Sequence, residues 1–469
     1  MATLITNSDL GNSLYVSVID KLEAKDQLKG NNYIVVYGNL LNTLSNGTEL
    51  VDKLAFAKTV TPNGQLLSDT NRMTVLVAPG KYTFFDSLEM DTPYIDLVSL
   101  TGDADVFLTC SSSNTAIIVD SSDIIIKGFN LGSQAITINS AYSNNYFENI
   151  IGGDYNFSNP STSGDVAGNF KNCVGGLYSF GDADNGQILA ASTLENCAAE
   201  DWSFGYTLSS CDLKNCTAGF SSFGYHDLLG CNLTDCKSNS GDSFGTNNSI
   251  NSSTLTNCSA TSYSFGRTNG ISTLMNSNFI NCTAEEGSFG TYIEGCTFRN
   301  CKANENSFGK TSDIGTVSEI YSTTFTDCKA GDFSFGVRIV ATDVVFTNCT
   351  AGIESFGADQ ANGTYKNCRA GINSFGAGLQ GWPSLIAGGQ YFNCVADENS
   401  FGTNFANGTF YYCVCNGLGG WIGGSQSGMG GYAAYTKGMN PAGPGTAIYC
   451  TDATNNPINY GLGSTTNNI

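Results

Sequence analysis

From about residue 74 onward the apolar positions fall in short clusters of β-branched and aromatic residues separated by Gly, Asn, Ser and Asp. That is the pattern of short strands and tight turns, not of helices, whose apolar faces recur every 3.6 residues. Helix-forming runs of Ala, Leu, Glu and Lys occur only near residues 16–29 and 50–58. Within the strand-like region one pattern, seen as "NCTAGIESFG" at 348–357, returns eleven times. Its consensus is small-x-φ-x-[Asn/Asp]-Cys-x-Ala-x-x-x-Ser-Phe-Gly, with Phe, Leu or Tyr at φ. The Phe residues follow one another at intervals of 19 to 27, whereas the Cys precedes its Phe by seven residues, or eight in one copy. Length therefore varies between one Ser-Phe-Gly and the next Cys, where loops can swell without disturbing a core.

A period of this size signals a solenoid. In an unbroken strand the φ residue and the Cys three positions later would point to opposite faces, yet both are apolar. A bend between them resolves the conflict, and its occupant is Asn or Asp in every copy, the non-glycine types that best tolerate the left-handed region. Beyond the bend Cys faces in, the next residue out, and Ala or Gly in again. Two short strands, an Asn bend and a turn bearing Ser-Phe-Gly describe one coil of an all-β parallel β-helix. About a dozen coils between residues 147 and 416, at about 4.8 Å each, would span roughly 55–60 Å.

Stacked coils place like side chains above one another. Phe204, Phe223, Phe308 and Phe356 are expected to form an internal spine, with Cys197, Cys216, Cys301 and Cys349 beside it as a thiol column. Asn215, Asn300 and Asn348 are expected to form a hydrogen-bonded ladder, and Ser355 and Gly357 to shape the turn. "FENIIGGDYNF" fits as a degenerate early coil, with Ile150 in the place of Cys and Phe157 seven residues later. Composition divides the chain into a capping or attachment segment (1–70), the coils (71–416) and a Gly-rich cap or oligomerisation segment (417–469).

A net charge of −21 argues against binding nucleic acid through its phosphates. No apolar run approaches the length of a membrane span, and the N-terminus lacks a basic start followed by an apolar stretch. Eighteen cysteines would suggest disulfides, but ladder neighbours about 4.8 Å apart exceed the roughly 3.8 Å between Cβ atoms that a disulfide needs. Reduced core thiols follow, which suits assembly in a cytoplasm. A second column five residues earlier (Cys211, Cys231, Cys296, elsewhere Ser192, Ser253, Ser277 or Gly363) asks only for a small inward residue. No metal site is expected: His226 is the one histidine, and it reads as a surface turn residue.

Carboxylates are the chemical candidates. Glu286, Glu305 and Asp332 recur four residues after the Cys in consecutive coils, and Asp201 and Glu398 share that place. Such a row could hold a glycosidase pair or bind Ca²⁺ weakly, though otherwise no cofactor is expected. Because these acids follow the repeat instead of departing from it, a solvated edge is the favoured reading. Trp202, Tyr206, Tyr225 and Trp382 are the aromatic candidates for stacking on sugar rings, with packing at turns as the structural alternative.

At "NRMTVLVAPGKYTF" (71–84), continued by "DTPYIDLVSL" and "DIIIKGFNL", the chain resembles the opening coils of the pectin-lyase-like right-handed parallel β-helix superfamily. The repeat series resembles those of viral β-helix proteins, phage tailspikes and other virion appendages among them. That resemblance implies the fold and not an activity. The Asp-Asp and Gly-His-Gly motifs of polygalacturonase-like members are absent, and Arg267, Arg299, Arg338 and Arg369 lack the acidic nest of the pectate-lyase-like ones. The resulting expectation is a structural or adhesive appendage of a phage or virus, assembled in the host cytoplasm and located in the virion. It would be a homo-oligomer, a trimer by preference, contacting other virion proteins and a cell-surface glycan. The alternatives are a polysaccharide lyase or glycoside hydrolase on the same scaffold, and an extracellular filament subunit of a cell surface.

Overall fold

The computed structural model describes residues 32–38, 42–139, 144–159, 165–266, 272–309, 319–336, 338–339, 343–357, 360–376, 386–401, 405–406, 408–416, 432–434, 446–451 and 457–460. Across them the chain winds a parallel β-solenoid of about 13 turns, nearly all sheet with one α-helix. It forms two compact units, Met1–Gly219 and Phe220–Ile469.

In the first unit, strands Met73–Val77, Ile95–Ser99, Ile125–Asn130, Tyr146–Ile151, Asn169–Lys171, Thr193–Glu195 and Asp212–Lys214 pair in parallel, coil upon coil. Pro79 and Gly80 lie inside this winding: Met73–Val77 precedes them, and Gly80–Phe84 pairs with Val106–Cys110 of the following coil. The helix expected at 50–58 begins earlier and spans Thr43–Ala57. Asn42 caps it by accepting the Ser45 N–H at 3.1 Å, and Leu50, Leu54 and Ala57 are buried. Its first turns, "TLSNG", are poor helix formers. Tertiary packing overrides that propensity, because a Cβ at Gly47 would lie 1.8 Å from the Thr83 carbonyl of strand Gly80–Phe84. The second helical run, 16–29, lies outside the described residues.

In the second unit, strands from Asn232–Thr234 through Thr409–Tyr411 form one parallel sheet. Strands from Asp227–Leu229 through Glu319–Tyr321 stack likewise in another. Tyr432–Ala434 continues the first sheet, and Thr446–Thr451 and Pro457–Tyr460 end it as an antiparallel pair.

Every expected Asn or Asp bend is left-handed, with φ between 51° and 56° from Asn172 through Asn393. Side-chain amides link them: Asn196 donates to Asn172 at 3.0 Å in the first unit, and Asn300 to Asn281 and Asn367 to Asn348, both at 3.0 Å, in the second. The degenerate coil obeys the same rule, since Asn149 has φ 55°, and Ile150 and Phe157 are fully buried.

The Ser-Phe-Gly turn holds a second left-handed corner. Phe itself is left-handed, with φ between 55° and 63° from Phe157 to Phe401, and the residue before it, Asn156 in the early coil and Ser in the others, is fully buried. Ser355 and Phe356 both face inward, and two successive inward side chains cannot belong to one strand. A left-handed bulky residue costs about 1–2 kcal/mol. Burying each ring returns about 1.5–3 kcal/mol and aromatic pairing about 0.5–1.5 more, so the strained conformer prevails.

The rings form two columns. Phe289, Phe308, Phe335, Phe356, Phe375 and Phe401 stack at 4.5–4.9 Å. The φ residues Phe279, Phe298, Phe325, Phe346, Tyr365, Tyr391 and Phe410 stack at 4.7–5.1 Å. The two columns meet edge to face, as with Phe346 and Phe356 at 89°. Below the turn, serines form a third column. Ser355 accepts the Ser334 N–H at 3.3 Å and donates to the Ile353 carbonyl at 3.0 Å, so one hydroxyl satisfies two buried backbone groups.

Asn348→Ala is expected to cost about 2–3 kcal/mol, the left-handed penalty plus a lost hydrogen bond, and Asn348→Gly only about 1, in urea unfolding. Equal costs would show that backbone conformation does not select this residue. The Tyr365 hydroxyl is buried and makes no well-aligned hydrogen bond among the described residues, with the Gly363 backbone as its polar neighbour. Tyr365→Phe should therefore raise stability by about 1–3 kcal/mol, read as a higher unfolding midpoint.

Candidate functional site

The three acids stack coil upon coil. The Gly287 N–H bonds the Glu305 carbonyl at 3.1 Å and the Asn306 N–H the Asp332 carbonyl at 2.8 Å, which stacks Glu286, Glu305 and Asp332 in register. Two of the three carboxylates are engaged by different partners. Glu286 accepts from the Asn306 amide at 3.3 Å, whereas the Asp332 carboxylate accepts the Ile353 N–H of the next coil at 2.9 Å. Asp154 does the same for Leu177 in the first unit at 3.0 Å. Each such Asp leans over a glycine: a Cβ at Gly352 would lie 1.7 Å from Asp332 Oδ1, and one at Gly176 2.3 Å from Asp154 Oδ1. This link between an Asp and a Gly one coil later is a signal in the sequence that the repeat alignment alone does not reveal. Among the described residues no three His, Cys, Asp or Glu side chains cluster as metal ligands.

The aromatic candidates are divided between the two units. Trp202 and Tyr206 are half-buried in the first unit and Tyr225 half-buried in the second, while Trp382 lies outside the described residues, as do Trp421 and Arg267. Trp202 is left-handed and occupies the same turn position as Tyr155 and Tyr178, whose rings stack on each other at 4.9 Å. Rings paired in this way turn their faces to one another, which leaves edges for a ligand. His226 is half-exposed, with Nδ1 2.8 Å from Asp227.

The first unit carries a concavity that the sequence did not announce, with a volume of about 400 Å³, lined among others by Asp69, Arg72, Asp123, Lys127 and Tyr146. Arg72 grips Asp96 through Nε at 2.8 Å and Nη2 at 2.5 Å, and Nη2 also donates to the Asp123 carbonyl. Burial works against both charges and pushes the Asp96 carboxyl up, while Asp96, Asp69 and Asp123 hold Arg72 charged. The bidentate geometry is that of an ion pair. Lys127 lies 3.0 Å from Glu148 and 4.9 Å from the centre of the Tyr146 ring, whose hydroxyl pKa is raised by burial and by Glu148. With both cations neutralised, the walls offer hydrogen-bonding groups for a hydroxylated ligand.

The seventeen cysteines whose side chains are described are all free and buried. The thiol also explains why Cys, and not another small residue, recurs. Cys301 donates to the Phe279 carbonyl of the preceding coil at 3.3 Å and Cys394 to the Tyr365 carbonyl at 3.4 Å, so a small apolar side chain also serves a buried acceptor beside the corner. Burial pushes Cys296 and Cys415 up to about 12, and pushes Cys282 and Cys301 up as well. These are packing thiols and not nucleophiles.

No family model matches the chain, and no curated protein matches it. Among solved structures it is similar to the A-module of a mannuronan C-5 epimerase of Azotobacter vinelandii, with 11% identity over 72% of this chain and 96% of that one, at a TM-score of 0.30. It is also similar to a mannuronic-acid-specific family 6 polysaccharide lyase from the human gut microbiota, with 9% identity, 91% and 83% coverage and a TM-score of 0.19. A third is ORF18 of Geobacillus virus E2, with 10% identity, 93% and 63% coverage and a TM-score of 0.17.

The raised thiols have a consequence for stability. Their contribution is complete below the ordinary thiol value of 9.0 and is lost as pH rises toward the folded value near 12, because the unfolded chain ionises first. Thermal midpoints should therefore fall steadily above pH 9, and a thiol reagent should label the folded protein only once it unfolds. Labelling at neutral pH without unfolding would contradict the burial of these thiols.

Proposed function

We propose that the protein is a structural and adhesive appendage, presented on a phage or virus particle and contacting a cell-surface glycan. The observation that carries this reading is the outward row of the second unit's sheet. Asn232, Thr254, Asn278, Thr297 and Thr324 stack in register, so hydroxyls and amides repeat at the strand spacing along an extended surface. An extended chain of sugars is the ligand that such a row suits, one hydrogen-bonding group after another. The repeated letters, by contrast, serve the interior and the ladders between coils. The candidate acids favour the same reading, since Glu286 and Asp332 are engaged by neighbouring coils. A reduced thiol core fits assembly in a host cytoplasm, and a trimer is the assembly we favour.

Immunogold labelling of particles is expected to place the protein on the virion, and host envelope polysaccharides are expected to bind it without yielding new reducing or unsaturated ends. Turnover abolished by Glu305→Gln would replace the adhesive reading with that of a depolymerase. Absence of both label and binding would remove it altogether.

A further inference from the structure

Lysines and arginines are placed differently in the two units. On the outward face of the first, Lys127, Glu148, Lys171, Glu195 and Lys214 succeed one another in a single column, each cation in register with an acid. Lys127 and Glu148 are 3.0 Å apart, and Lys171 and Glu195 3.7 Å. Such alternation neutralises the column.

In the second unit the corresponding column runs Thr234, Thr256, Ile280, Arg299, Thr326, Thr347, Lys366 and Phe392, with no acid. Across the Asn corner a parallel column runs Lys237, Ser259, Thr283, Lys302, Lys329, Thr350, Arg369 and Val395, again with no acid. The cations with described side chains in this unit are Lys237, Arg299, Lys302, Lys329, Lys366 and Arg369, and all six stand exposed on these two columns. None of them forms an ion pair among the described residues. Lys302 and Lys329 are direct partners in adjacent coils, and like charges opposite each other destabilise a sheet. No acid stands in either column to offset that repulsion, in a chain of net charge −21; the corner ladder between them holds Asp235 and Asp327, each engaged by the Asn amide of the next coil.

We infer that this corner binds an anionic polysaccharide laid along the stacked coils, its charged groups facing Arg299 and Lys302, then Lys329, then Lys366 and Arg369. The inference rests on the adhesive reading and names the charge class of its ligand. Between the cations stand Thr326, Thr347 and Thr350, and the corner ladder of Asn300, Asp327, Asn348 and Asn367, in which the Asp327 carboxylate is taken up by the Asn348 amide at 2.9 Å, so that hydroxyls and amides suited to sugar hydroxyls predominate. Five cations over the four coils from Arg299 to Arg369 also match a polymer with one charge per saccharide better than the denser charge of nucleic acid.

The full-length protein titrated with carboxymethyl dextran, and with neutral dextran of equal length, provides the test. Binding of the charged polymer alone is expected, weakening as salt is raised. The variant Lys302→Gln/Lys329→Gln/Arg369→Gln should lose about tenfold or more in affinity, with a thermal midpoint unchanged or higher because a like-charge contact is gone. Lys171→Gln, in the neutralised column, should bind as wild type. Should the triple variant fail to fold, Thr350→Glu, which supplies the missing acid between Lys329 and Arg369, should weaken binding while stabilising the coil. Equal binding of neutral dextran, or wild-type affinity in the triple variant or in Thr350→Glu, overturns the inference. Tighter binding of single-stranded DNA than of carboxymethyl dextran overturns the assignment to a saccharide. Binding of the charged polymer by a protein that ignores host surfaces would sink the adhesive reading and spare this one. Host binding that survives the triple variant would do the reverse.

Discussion

A strand turns alternate side chains to opposite faces, so two inward residues in close succession demand a corner, and a corner in so short a coil demands a left-handed residue. The rest of the structure depends on that requirement. It places Asn348 between an outward strand residue and an inward Cys349, and it forces Phe356, next to an inward Ser355, into a conformation that few bulky residues adopt. Each corner also interrupts backbone pairing, and the small polar side chains at and behind it repair the loss. Asn amides bond along the corner, Ser hydroxyls bridge successive turns, and Cys thiols reach the carbonyl of the φ residue in the coil before.

Much of this was legible in the sequence, because the constraint repeats. The conflict between an apolar φ residue and an apolar Cys three positions on pointed directly to the Asn bend, and the nearly constant Cys-to-Phe spacing pointed to a stacked interior. The second corner was harder to read. Phe is an unusual choice for a left-handed site, so nothing in its propensity marks it as a corner residue, and only the balance between strain and ring burial accounts for it there. The helix at Thr43–Ala57 escaped its true start for a related reason: what holds "TLSNG" helical is a strand from elsewhere in the chain.

The candidate site was less legible than the fold. A row of acids in register gives no sign in the sequence of which carboxylates a neighbouring coil engages, as the Asp332 carboxylate receives the Ile353 N–H. The buried Arg72 and Asp96 pair left no trace in the repeat, since it lies in coils before the pattern begins. The contrast between a neutralised and an unneutralised charge column needed the exact register of the coils, because loops of different length hide which cation faces which acid.

The link between an Asp and the glycine one coil later adds a constraint of another kind. By their consensus the coils look interchangeable, as if any could be duplicated, deleted or shuffled. Yet Asp154, Asp201 and Asp332 each lean over Gly176, Gly219 and Gly352, where a Cβ would meet a carboxylate oxygen at 2.3, 2.0 and 1.7 Å. Those coils are keyed to their successors. Recombination that separates such a pair sets a carboxylate against a side chain, so the heritable unit at these places is the pair of coils, and the order of an array that reads as monotonous is partly locked.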